Sequence, residues 1–217
     1  MFHSATETVA FTPADQKDRP EGERITYTLK VPTRLDQAKF RRSIVAEGAR
    51  VWSPEDMRAA IRRGVDRMFE GVIDETEKAE VLEGLETYWS LTDDVSRFGG
   101  KTIGAVAAGK EENPELLEMI KALGEATIVF TDLEAEVRRR DRDYRERCAD
   151  IDFYYSVALI AALRLFVLDW SGLEADCERD EDGLTLKAIG TIPAKHHDPL
   201  DQRIGALLRF GEAETKN

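Results

Sequence analysis

The chain has 217 residues, enough for one large domain or two small ones without disulfide or metal staples. With 42% hydrophobic and 34% charged residues it is globular in composition, and its net charge of −12 excludes a sequence-independent grip on phosphate backbones. Two cysteines, Cys148 and Cys177, make no disulfide framework and point to a reducing compartment.

Met1 to Glu23 is polar and without periodicity, and reads as a flexible arm. It carries no basic start followed by an apolar core, so no secretory signal is expected. Arg24 to Val31 alternates apolar and polar residues up to Pro32, the pattern of a half-buried strand or hairpin arm. Thr33 caps a helix from about Arg34 to Ala46, closed by Gly48. Ser53-Pro54-Glu55-Asp56 combines a cap, a proline at the first helical position and acids in the first turn. The helix it starts runs to about Glu70, with Met57, Ile61, Val65 and Met68 on one face. A third helix is expected from Asp74 to about Arg97, broken at Phe98-Gly99-Gly100. Gly99 to Gly109 reads as a glycine-rich loop, and Asn113-Pro114-Glu115 opens a short helix to Leu123.

From Glu125 to about Trp170 the pattern predicts one long helix, or two joined near Asp150. Its second part is apolar nearly all round, as for a central helix wrapped by others. Tyr154 to Trp170, at 17 residues, carries Arg164 near its middle, which favours a buried core helix over a membrane span. After Gly172 come a turn, a strand at Leu184 to Ile189 and a last helix from Pro199 to Phe210. The expected architecture is mainly α. An arm (1–23) precedes a single helical domain (24–212), which has a short N-terminal strand or hairpin and a long central apolar helix; residues 213–217 form a flexible tail.

Charge is unevenly distributed. Arg34 to Arg67 holds nine basic and five acidic residues; Glu70 to Glu118 holds thirteen acidic and four basic ones. Solvated helix faces account for this, and so does a bipolar surface that meets copies of itself or a basic partner. From Glu134 to Asp150 six acids match six arginines, many at i, i+3 and i+4, as on a self-compensated exposed helix.

Catalytic signals are weak. A phosphate loop needs G-x-x-x-x-G-K-[ST] between a strand and a helix. Gly99-Gly100-Lys101-Thr102 has Val95 in place of the leading glycine, and Gly104 to Lys110 is followed by Glu111 instead of a hydroxyl residue. His196 and His197 are adjacent and expected in an exposed loop; no second ligand pair has zinc spacing. Any nucleophile–base arrangement would have to use one of these two histidines. No catalytic, cofactor-binding or metal-binding residue is assigned, and the chain is expected not to be an enzyme. A small enzyme or nucleotide binder built on Gly99 to Lys110 is kept as a different-class alternative.

Phe166-Val167-Leu168-Asp169-Trp170-Ser171-Gly172-Leu173, followed by Asp180-Glu181-Asp182-Gly183, resembles a corner in tail assembly chaperones of long-tailed bacteriophages and phage-like particles. In that family a helix ends in a Trp-x-Gly corner, then come an Asp-Gly turn, a short extended piece and a last helix, here Leu200 to Phe210. Trp170, Gly172 and Gly183 would be the structural corner, with Gly172 left-handed at the helix end. The resemblance implies a non-enzymatic chaperone in the host cytoplasm. It would bind the tape-measure or tail-tube protein, with no cofactor, nucleic acid or membrane involved and with self-association open. Phe153, Tyr154, Leu159, Leu163 and Phe166 on the apolar helix are the partner-binding candidates. The alternative in the same setting is a structural virion component of tail or capsid.

Overall fold

Helix starts follow local chemistry in the computed structural model, which describes residues 7–71, 75–110 and 112–213, the side chains of 75, 101 and 210–213 excepted. Thr33 opens α1 (Arg34–Ala46) with a capping box: its hydroxyl accepts from the Asp36 amide, and the Asp36 carboxylate accepts from the Thr33 amide. Ser53 caps α2 (Pro54–Met68), and Asn113 caps α5 (Pro114–Arg140). Between them lie α3 (Glu75–Ser96) and α4 (Gly100–Ala107). The expected helix start at Asp74 lies outside the described residues. Among the described residues the fold is mainly α, with eight α-helices and small antiparallel sheets.

Several local expectations are corrected. Residues 100–107 form α4 instead of a loop; Gly99, at φ +74°, turns the chain into it. The segment opened by Asn113 does not stop at Leu123. It continues through Gly124, because one glycine costs a helix only about 1 kcal/mol. The expected joint near Asp150 falls instead at Asp141, which is extended between α5 and α6 (Arg142–Phe166). The Asp141 carboxylate accepts from the Tyr144 amide and pairs with Arg67.

The N-terminal arm is ordered where described. β1 (Thr8–Phe11) pairs antiparallel with β2 (Thr26–Lys30), and the link contains 3-10 turns at Ala14–Gln16 and Glu21–Glu23. The third strand is β3 (Val167–Ser171), antiparallel to β2, with Tyr27 opposite Trp170. The apolar helix therefore ends at Phe166, not at Trp170. Val167 to Ser171 carries apolar residues that fit either state, and pairing with the central strand β2 decides for extension. The ladder skips Leu168, a β-bulge.

A second hairpin joins β4 (Arg179–Asp180) to β5 (Gly183–Leu184). The strand expected over Leu184 to Ile189 is thus only its first residue. Thr185 then caps the short helix α7 (Leu186–Ile189) by accepting from the Ala188 amide. The last helix, α8 (His197–Ala213), agrees with expectation.

The described residues fall into two compact units. One combines the described residues up to Val51 with those from Asp150 onward; the other is Trp52–Ala149. In the first, Tyr27, Leu29, Leu163, Phe166, Val167, Leu184, Leu200 and Ile204 form the centre of the core. In the second, Ala60, Ile61, Val65, Leu85, Trp89, Val137 and Tyr144 form one core, and Val95, Val106 and Leu116 a smaller one. The arginine-rich stretch compensates itself as expected: Arg139 and Arg140 pair with Glu136, Arg142 with Glu146 and Arg147 with Asp143. No helix among the described residues is long and apolar enough to cross a membrane.

Candidate functional site

The first unit carries an open groove of about 430 Å³ lined by Gln37, Phe40, Arg41, Ile44 and Val45 of α1, by Ala49 and Val51 after it, by Tyr154 of α6 and by Leu208 of α8. Gln37, Phe40, Arg41, Ile44 and Val45 fall at i, i+3, i+4, i+7 and i+8, so helical geometry puts them on one stripe. The stripe is anchored beneath. Phe40 packs at 5.9 Å between ring centroids on the buried Phe166, and Gln37 Nε2 donates to the Leu208 carbonyl oxygen at 3.4 Å. Its outer edge is bare: Val45 is 72% exposed and Val51 57%. A groove with apolar walls and a firm base suits apolar side chains from another helix.

The partner-binding candidates on α6 separate into different environments. Leu163 and Phe166 are fully buried and offer no surface, while Leu159 is partly buried and packs against the same core. Leu159, Ala162, Leu163 and Phe166 are the i, i+3, i+4, i+7 stripe facing the core. Tyr154 lines the groove, while Phe153 is 49% exposed outside its lining. Tyr155 and Ile160 are exposed as well, so α6 is not a helix wrapped on every side. Sequence reasoning missed Phe40, Ile44, Val45, Val51 and Leu208. The available signal was the stripe spacing in α1.

The corner residues are structural in a different way from that expected. Trp170 is buried in β3, donates from Nε1 to the Ala175 carbonyl oxygen at 2.8 Å and meets Tyr27 edge-on. Gly172 is left-handed at φ +78°, but it ends a strand. A methyl group there would overlap the Arg24 carbonyl oxygen. Gly183, at φ +126°, seats its hairpin so closely on the end of α6 that a methyl group would overlap the Arg164 carbonyl oxygen. Cys177 Sγ donates to the Leu168 carbonyl oxygen and Arg179 to that of Val167, which covers the outer edge of β3.

His196 is fully buried, contrary to the exposed loop expected. Its Nδ1 lies 2.7 Å from the Tyr27 hydroxyl, and its Nε2 lies 3.2 Å from an Asp15 carboxylate oxygen. Placing the hydrogen on Nε2 lets the ring donate to Asp15 and accept from Tyr27. Lys195 Nζ meets Asp15 at 2.5 Å, and Gln16 Nε2 donates to the same carboxylate at 2.8 Å. The Lys195 hydrogen bond is the main reason the Asp15 carboxyl titrates well below its usual range. Burial, aided by the Asp15 charge, raises the Tyr27 phenol above its own. Acid, imidazole and hydroxyl stand in the order of a nucleophilic relay. Yet Tyr27 and His196 are sealed from solvent, so the arrangement works as a brace between β2, the Ala14–Gln16 turn and the 3-10 turn Ala194–His196 that leads into α8.

The glycine-rich segment lacks the geometry of a phosphate loop, since α4 follows helix α3 and no strand leads into it. The Lys101 side chain and Glu111 lie outside the described residues. Among the described residues no group of three His, Cys, Asp or Glu side chains is placed to hold a metal ion. No family model, curated protein or solved structure matches the chain.

Proposed function

We propose that the protein is a non-enzymatic assembly chaperone of a phage or phage-like tail, acting in the host cytoplasm to keep the tape-measure or tail-tube protein from aggregating. The observation that carries this reading is the open apolar groove over Phe40, Ile44, Val45, Val51, Tyr154 and Leu208. Two features support it: the resemblance of Phe166 to Leu173 and Asp180 to Gly183 to that family, and a net charge of −12 that keeps copies apart. A tape-measure protein is long and helical with apolar stripes, the kind of surface such a groove covers.

The test is co-expression with the tape-measure protein of the same genome, reading its soluble yield with and without this chain. A clear rise in soluble yield and a complex that survives at physiological salt are expected. An equally insoluble tape-measure protein sinks the reading. Mass spectrometry of purified particles separates the structural alternative: a chaperone is absent from the finished particle, and a virion component is present in many copies.

A further inference from the structure

The groove is apolar, but α1 and α8 carry exposed arginines next to its lining residues, in a chain whose net charge is −12. Arg34 lies one turn before Gln37 on the same stripe of α1, Arg42 borders that stripe, and Arg209 follows Leu208 on α8; all three are exposed. The carboxylates of α1 do not offset them. Asp36 is buried and held by Lys30 at 2.7 Å, which leaves the exposed Glu47 just past its end, and Asp150 and Asp152, ahead of Tyr154 on α6, have partners of their own. We infer that the occupant of the groove is an amphipathic helix of a partner protein whose apolar stripe is flanked by carboxylates.

The stripe from Gln37 to Val45 is about 12 Å long at 1.5 Å per residue, which matches about two turns of a partner helix. Such a helix presents apolar side chains at i, i+3 or i+4, and i+7. Burial of those side chains drives the association, and the neighbouring arginines select and orient a helix with acidic flanks. A second copy of this chain fits less well, because two molecules at −12 repel each other on approach. This inference rests on the chaperone reading and specifies the chemistry of the partner segment.

Two labelled helical peptides of about 18 residues test it, with the same leucine stripe and either glutamate or lysine flanks. Fluorescence anisotropy with the full chain at about 0.15 M salt should give at least tenfold tighter binding of the glutamate peptide. Val45→Asp should abolish that binding without lowering the melting temperature, because Val45 is 72% exposed. Arg34→Glu with Arg42→Glu should reverse the preference between the peptides. Equal or absent binding, or full binding by Val45→Asp, overturns the inference. So does a dimer in sedimentation that Val45→Asp dissociates, since a second copy would then hold the groove. If Val45→Asp still keeps the tape-measure protein soluble, the groove assignment fails and the chaperone reading stands. If the wild-type chain does not keep it soluble, the chaperone reading fails whatever the peptides do.

Discussion

The Tyr27 hydroxyl and His196 Nδ1 meet at 2.7 Å although 169 positions separate them in the chain. Both side chains are fully buried, so each is the other's replacement for water. Tyr27→Phe keeps the ring packing and removes only the hydroxyl. It should cost about 1–3 kcal/mol, the penalty of leaving a buried polar group without its partner. Urea unfolding of Tyr27→Phe, His196→Phe and the double variant should give a coupling energy of about 0.5–3 kcal/mol. Strict additivity would mean that the two groups do not interact in solution.

Trp170 fills the core beside Tyr27 and holds the following turn through the Ala175 carbonyl oxygen. Trp170→Ala should cost roughly 3–5 kcal/mol, as for other large core aromatics. A thermal melt unchanged by this substitution would place the indole on the surface and contradict the packing of β3 on β2.

Three glycines with positive φ should respond differently to alanine. Gly48 has open space around it, so Gly48→Ala should cost about 1–2 kcal/mol, the left-handed penalty alone. Gly172→Ala and Gly183→Ala add a collision with a backbone carbonyl, at Arg24 and Arg164. Both should lose clearly more stability than Gly48→Ala. Equal melting temperatures for all three variants would rule out the close approaches.

Acid should unfold the protein in part through Asp15 and Asp36. The Lys195 hydrogen bond lowers the Asp15 carboxyl, and burial would raise Asp36 but is outweighed by hydrogen bonds from Lys30 and Thr33. A carboxyl lowered on folding stabilises the native state above its unfolded value near 4, and that contribution is lost as pH falls toward the folded value. The urea midpoint should therefore decline from about pH 4 downward. Lys195→Met should flatten part of that decline; an unchanged profile would remove Asp15 from the account.

Nucleotide should not bind at the Gly99 to Lys110 segment, because α3 leads into α4 without a strand. Millimolar ATP or GTP with magnesium should leave the melting temperature unchanged, since a ligand of the folded state must raise it. A saturable rise would restore the nucleotide-binding alternative.

Where structure depends on neighbours in the chain, it was legible in the sequence. Thr33, Ser53 and Asn113 start helices because their side chains reach amides three residues on, a purely local act. The strand Thr26–Lys30 and the arginine–glutamate pairs of α5 and α6 follow likewise from periodicity and i, i+4 spacing. Tertiary structure decided the rest. Val167 to Ser171 is a strand only because β2 lies beside it, and Thr8 to Phe11 is ordered only because β2 has a second edge. His196 is sealed because Tyr27 and Asp15 arrive from the other end of the chain. The groove needed α1, α6 and α8 side by side, and which apolar residues stay exposed there depends on what the fold leaves uncovered. Leu163 and Val45 are both apolar; only packing made one core and the other surface.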